Sequence, residues 1–278
     1  MDDINVIEAH ETDDAKVEII EYKQLVGSSD ARAAERLFFV QQAGMTLKTV
    51  RITLNDSKVR IEPGALYYMQ GDLEMKASTG GGILKGLTRK ALSGESFFVS
   101  EIHGTGVIYL EPTFGHFMLV PVDSDEYIVD KSLFYAGTAG LDISAAAQKN
   151  ISSAAFGGEG LFQTKIKGTG TAVIYSPVPR REIQEFTLDN SKLAVDGNFA
   201  LMRTGGITFR AEKSSKSWVA TSVSGEGLLQ TFTGAGKVWI APTQGVYEKL
   251  ATERGLIELA GPPGAISTMV DQENPKKK

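Results

Sequence analysis

The 278-residue chain contains no cysteine. Disulfides, thiolate zinc sites and a cysteine nucleophile are therefore excluded, and a reducing compartment suits the sequence. Histidine is scarce, with His10, His103 and His116 as the full set. No Gly-x-Ser-x-Gly elbow marks a hydrolase serine, and no Gly-Lys-Ser/Thr marks a phosphate loop. No stretch reaches the roughly 20 apolar residues that cross a bilayer as a helix. The opening MDDINVIEAH has neither the basic start nor the apolar core of a secretory leader. An excess of positive charge is missing too. The formal net charge of −5 weighs against non-specific nucleic-acid binding, which depends on neutralising phosphates. A cytoplasmic protein is expected, with attachment to the periphery of a membrane left open.

What the chain has in quantity is glycine, 30 residues of it, and the glycines are ordered. SGESFFVSEIHGTGVIYLEP, GGEGLFQTKIKGTGTAVIYSPVP and SGEGLLQTFTGAGKVWIAP are three copies of one pattern. Each has a glycine before a glutamate (Gly94, Gly158, Gly225), two large apolar residues, a Gly-x-Gly (from Gly104, Gly168, Gly234), an apolar run and a proline. Upstream, VRIEPGALYYMQGDLEM, YIVDKSLFYAGTAGLDI and FTLDNSKLAVDGNFALM each place an acid (Glu62, Asp130, Asp189) ahead of a turn, an apolar run and a glycine-bearing turn. Apolar runs joined by short Gly and Asp or Asn turns read as β-hairpins. The expected fold is all-β: three homologous modules, each of β-sandwich or double-stranded β-helix-like form. They would span 39–119, 120–180 and 181–245, between an acidic N-terminal extension (1–38) and a C-terminal extension (246–278) with a disordered end.

The Gly-x-Gly pairs precede strands rich in β-branched and aromatic residues, not helices, so they are not phosphate loops. Hairpin turns with positive φ are expected there. Both chain ends read as solvated extensions. ARAAERLFFVQQAG is expected to start as a short helix over Ala31 to Arg36 and then run into strand.

The segments FGHF, GGEGLFQTKIKGTG, VDGNF and EKSSKSW with GEGL resemble the family of altered inheritance of mitochondria protein 24, from about Phe39 to about Pro242. The resemblance implies a fold related to the trp RNA-binding attenuation protein, with three similar β-modules around a pseudo-threefold axis. For mitochondrial members it implies a role in inner-membrane organisation. It carries over no active site, and no RNA-reading or tryptophan-binding motif maps onto this chain.

Chemistry finds little support. Glu101 and His103 alternate along a strand and so face one way, but two residues make only part of a zinc site. His116 reads as a structural or surface residue at a junction between modules. Glu95, Glu159 and Glu226 recur; they either converge to hold a cation or accept hydrogen bonds from turn N–H groups, and the second is favoured. No catalytic residue, metal or cofactor is assigned. The most informative repeat lies just before each Gly-Glu, where a lysine and an apolar residue recur as Lys85 and Leu87, Lys149 and Ile151, Lys216 and Trp218. Three such tips would dock on a protein partner, a second copy or an anionic membrane surface. The expectation is a non-enzymatic binding or scaffold protein, connected to membrane organisation or stress. A sensor holding a small ligand between modules is the alternative, and a metal-dependent enzyme using Glu101, His103 and His116 ranks behind it.

Overall fold

In the computed structural model, residues 4–79, 98–130, 132–147, 162–196, 199–213 and 228–261 are described. Their strands join in one 13-stranded antiparallel sheet, and the chain is mostly β, as the glycine-punctuated apolar runs imply. The sheet is open: its path runs from β1 (Ile4–Glu11) to β10 (Gln184–Asp196).

Three long strands organise it, β5 (Phe98–Leu110), β9 (Phe162–Ser176) and β13 (Leu228–Ile240). Each takes on one side a long strand that precedes it: β3 (Leu47–Ile61), β6 (His116–Asp130) or β10. On its other side β9 takes β7 (Phe134–Thr138) and β8 (Leu141–Ala147) in succession. β13 likewise takes β11 (Ala200–Thr204) and β12 (Ile207–Lys213). β5 takes the single strand β4 (Leu66–Thr79). The hairpins expected between β6 and β7, or β10 and β11, therefore do not form. A strand of 13 to 15 residues buried in the sheet must satisfy its N–H and C=O groups on both sides, and the two runs flank it instead of each other.

The Gly-x-Gly pairs are not hairpin turns either. Positive φ is present, at +123° for Gly104, +119° for Gly168 and +123° for Gly234, but each lies in mid-strand. Each faces a register shift on the partner strand, where one non-glycine residue also has positive φ: Asp56, Ser124 or Asn190. These are β-bulges, which bend the pair and raise its twist.

Glycine is required by crowding as well as by φ. A Cβ at Gly168 would lie 2.3 Å from the Gly140 carbonyl oxygen, and one at Gly234 would lie 2.5 Å from that of Gly206. The second glycine leaves room for a threonine: Thr138 and Thr204 hydroxyls accept from the N–H groups of Thr171 and Lys237 at 2.9 and 3.0 Å.

The acidic N-terminal segment is not a solvated extension. Its alternation AKVEII makes β2 (Ala15–Tyr22), which pairs along β3 and buries Val17, Ile19 and Ile20. β1 pairs with β2, and it touches the rest of the sheet through Glu8, which accepts from Leu119 N–H, and His10, 2.6 Å from the Thr171 hydroxyl. Helix α1 (Ala31–Gln42) runs six residues beyond Arg36, capped by the Asp30 carboxylate. Leu37, Phe38, Phe39 and Val40 stay helical, continuing the helix that the Asp30 cap starts, with both phenylalanines exposed. After β13 come α2 (Gln244–Leu250) and α3 (Glu253–Ala260).

Candidate functional site

The tip residues Lys85, Leu87, Lys149, Ile151, Lys216 and Trp218, and the glutamates Glu95, Glu159 and Glu226, lie outside the described residues. Their flanks are described. The three tip segments follow β4, β8 and β12 and precede β5, β9 and β13, at the register pairs Thr79 with Phe98, Ala147 with Phe162 and Lys213 with Leu228.

Glu101 and His103 share one side of β5, as their alternation requires. Glu101 Oε1 lies 2.6 Å from His103 Nε2, while Oε2 meets Arg60 Nε at 3.0 Å and Lys58 Nζ at 3.4 Å. Burial pushes the Glu101 carboxyl up, but Arg60, Lys58 and His103 together outweigh it and hold the group below its usual range. A carboxylate shared among Arg60, Lys58 and the His103 ring is a cross-strand brace between β3 and β5. Among the described residues no cluster of three His, Asp or Glu could hold a metal ion. His116 stands elsewhere, so the structure does not unite it with this pair.

His116 opens β6 and lines a cleft of about 920 Å³. The walls come from segments far apart in sequence: Glu8 of β1, Glu21 of β2, Lys48 of β3, the Phe114–Phe117 junction, Arg180 to Glu182 in a 3-10 turn before β10, and Tyr247 of α2. A two-way bridge, Lys48 N–H to Thr113 O and Thr113 N–H to Lys48 O at 2.8 Å each, fixes that junction on β3. Glu182 anchors the start of α2, accepting from the Thr243 hydroxyl at 2.6 Å and the Tyr247 hydroxyl at 2.9 Å.

The charges in this cleft are perturbed. Burial lowers the pKa of His116, and the nearby Lys48 and Arg181 charges lower it further against the pull of Glu182, so the imidazole favours its neutral form. Burial also lowers Lys48, whose ammonium donates to Thr46 O at 2.9 Å. Burial raises Glu8 despite the Leu119 N–H and Arg180. Hydrogen bonds from Thr243 and Tyr247 keep Glu182 low. The desolvated Lys48 ammonium, the exposed Arg180 and Arg181, a neutral imidazole and the apolar walls of Ile7, Met45, Phe114 and Phe117 suit an anionic molecule with an apolar body.

Sequence reading singled out His116 alone in this cleft. Arg180, Arg181 and Glu182 sit in a 3-10 turn between strands and Lys48 at the start of β3, outside the glycine pattern, so no periodicity marks them. The one available signal was the basic pair in PVPRRE within an acidic chain.

Fold and site together define a mostly β protein built on one open antiparallel sheet, with a mixed-charge cleft where its connections meet. A family model described as Mitochondrial biogenesis AIM24 matches residues 40–243, and the chain belongs to that family. It is 27% identical over 209 residues to the uncharacterised protein M6_Spy0233 of Streptococcus pyogenes serotype M6, covering 73% of this chain and 75% of the relative. The crystal structure of protein SPYM3_0169 from Streptococcus pyogenes shares the fold with a TM-score of 0.52 at 22% identity. That match covers 74% of this chain and 94% of the other.

Proposed function

We propose that this protein is a non-enzymatic binding or scaffold protein of the cytoplasm that docks through its three repeated tips, on a protein partner or on an anionic membrane surface in membrane organisation or stress. The units that carry the tips are read as three homologous modules about a pseudo-threefold axis, related to the trp RNA-binding attenuation protein. The observation that carries this reading is the equivalence of the tip attachments. In all three units the Lys-plus-apolar segment connects two strands at the far end of the same register-paired ladder. Among the described residues no helix is long and apolar enough to cross a membrane.

The test is flotation with vesicles containing about a third anionic lipid, together with affinity capture at low salt. The wild-type chain is compared with the combined Lys85→Glu, Lys149→Glu, Lys216→Glu variant. Loss of three attractions near a charged surface, each worth about 1 kcal/mol, should weaken membrane binding at least a hundredfold. Equal behaviour of the two proteins, in flotation and in capture, would remove the tips as the working surface.

The cleft around His116 favours a second reading, a sensor for a small anionic ligand held where the connections meet. A thermal-shift screen of carboxylate and phosphate metabolites is expected to yield stabilisation that is lost on Arg181→Ala. At a hundredfold excess over Kd the gain is about 2.7 kcal/mol. A screen without any hit that depends on Arg181 would leave the cleft with a structural role alone.

A further inference from the structure

The sheet forms one kind of junction twice and leaves the two halves of a third apart. Where β7 meets β3, Ala136, Gly137 and Thr138 lie opposite Ile61, Arg60 and Val59. Where β11 meets β6, Met202, Arg203 and Thr204 lie opposite Val129, Ile128 and Tyr127. The two sets are equivalent in register. Ala136 pairs with Val173 and Met202 with Trp239, each the fifth residue after its bulge glycine, Gly168 or Gly234.

Counting from Gly104, the corresponding residue is Tyr109, and it pairs with Tyr68. Tyr68, Met69 and Gln70 at the start of β4 are therefore the counterparts of Ala136, Gly137 and Thr138. On the facing side, Ile61, Arg60 and Val59 oppose Ser100, Glu101 and Ile102, four, three and two residues before Gly104. The residues that oppose the matching positions before Gly234 are Val195, Ala194 and Leu193 at the end of β10.

These last two edges are not joined. β10 ends the sheet path, and β4 pairs with β5 alone among the described strands. Exposure agrees. At the formed junctions Ala136, Thr138, Met202 and Arg203 are buried, whereas Tyr68 is 47% and Met69 37% exposed. Tyr68 also stacks on Tyr109 at 4.5 Å, which makes a flat apolar surface beside the open edge. An unpaired strand edge with apolar flanks is a template for another strand.

We propose that the start of β4 in one copy of this chain pairs with the end of β10 in a second copy, with Tyr68 opposite Val195, Met69 opposite Ala194 and Gln70 opposite Leu193. Each chain carries one edge of each kind, so the contact is head to tail and extends to a ring or a filament. Main-chain hydrogen bonds supply affinity, and the register copied from the two internal junctions supplies specificity. This goes beyond the proposed docking function and stands on the sheet edges, not on the tips. The triple lysine variant leaves it intact.

The absence of native cysteine allows a direct test. Full-length Met69→Cys and Ala194→Cys chains are prepared separately, mixed at equal concentration, oxidised mildly and run without reductant. Opposed residues of antiparallel strands lie within reach of a disulfide. The mixture is expected to yield a 1:1 cross-linked heterodimer at least tenfold more abundant than the dimers of either variant alone, and the double variant should yield a ladder. Both positions are exposed, and far-UV circular dichroism checks that the variants fold. A double variant that cross-links only within single chains would show that the chain closes its own junction and overturn the proposal. Absence of cross-linking in the mixture would overturn it equally. In sedimentation, the Met69→Asp and Ala194→Asp chains should each be monomeric, and mixing them should restore dimers through the one intact pair of edges; two variants that stay monomeric together exclude head-to-tail contact.

Discussion

Gly168→Ala is expected to destabilise the protein by about 3 kcal/mol or more, the upper end of what single substitutions do. Two costs combine at this position. A φ of +119° is a backbone conformation that L-residues avoid, worth about 1 to 3 kcal/mol of strain. The new methyl would also lie 2.3 Å from the Gly140 carbonyl oxygen, a backbone atom with nowhere to go while β8 remains paired to β9. Relief requires the ladder around Leu141 to open. For a chain of this size, about 2 to 4 °C of melting temperature is lost per kcal/mol, so a fall of roughly 6 to 12 °C should appear in a thermal scan. Gly245→Ala is the control. This residue lies in α2 with open space around it, and its replacement should leave the melting temperature unchanged or slightly raised. If Gly168→Ala melts with the wild-type chain, the mid-strand bulge is not the constraint inferred for it.

The same glycines show how far the sequence could be read. Their regular spacing points to the β character, because Gly-x-Gly ahead of VIYL, AVIY or VWI precedes β-branched and aromatic runs that favour strand. It does not reveal where along a strand the glycine falls. Positive φ serves a hairpin turn and a β-bulge alike, so glycine marks both.

The third unit illustrates the ambiguity. Asp189 stands in the sequence pattern with Glu62 and Asp130, ahead of what looks like a turn, but the next residue, Asn190, forms the bulge opposite Gly234. By register the true counterpart is Asp196, since Val195, Val129 and Ile61 occupy the same place. Helix α1 outruns its expected end for another reason: Leu37 to Val40 fits a strand by composition, and the Asp30 cap that starts the helix is a local signal that composition does not weigh. The cleft stayed hidden because it is assembled from strand and connection residues that do not repeat, with Lys48 and Arg181 separated by 133 positions.

Phe134→Ala is the second large effect. The ring is 1% exposed and belongs to the core with Met118, Leu141, Ile143 and Ile174. Truncating such a phenylalanine costs about 3 to 5 kcal/mol, through lost transfer free energy and the cavity left behind. Its strand also gives the loss a direction. Among the described strands, β7 alone connects β1–β5 to β6–β13 by ladder pairing, with three register pairs to β3 and three to β9. Ala136 packs in the core of the β2, β3 and β5 side while Phe134 packs in the other, so this five-residue strand ties two cores together. Loss of the ring should therefore speed amide exchange at Val59 and Ile61 across the junction as well as within β7. Phe209→Ala supplies the contrast. Phe209 is buried in the third core, with Phe232 and Ile207, and its truncation should lower the urea midpoint comparably while leaving protection at Val59 and Ile61 in step with the global stability. If the two variants change exchange at β3 in the same proportion to their loss of stability, the sheet unfolds as one unit and β7 is not a hinge between two.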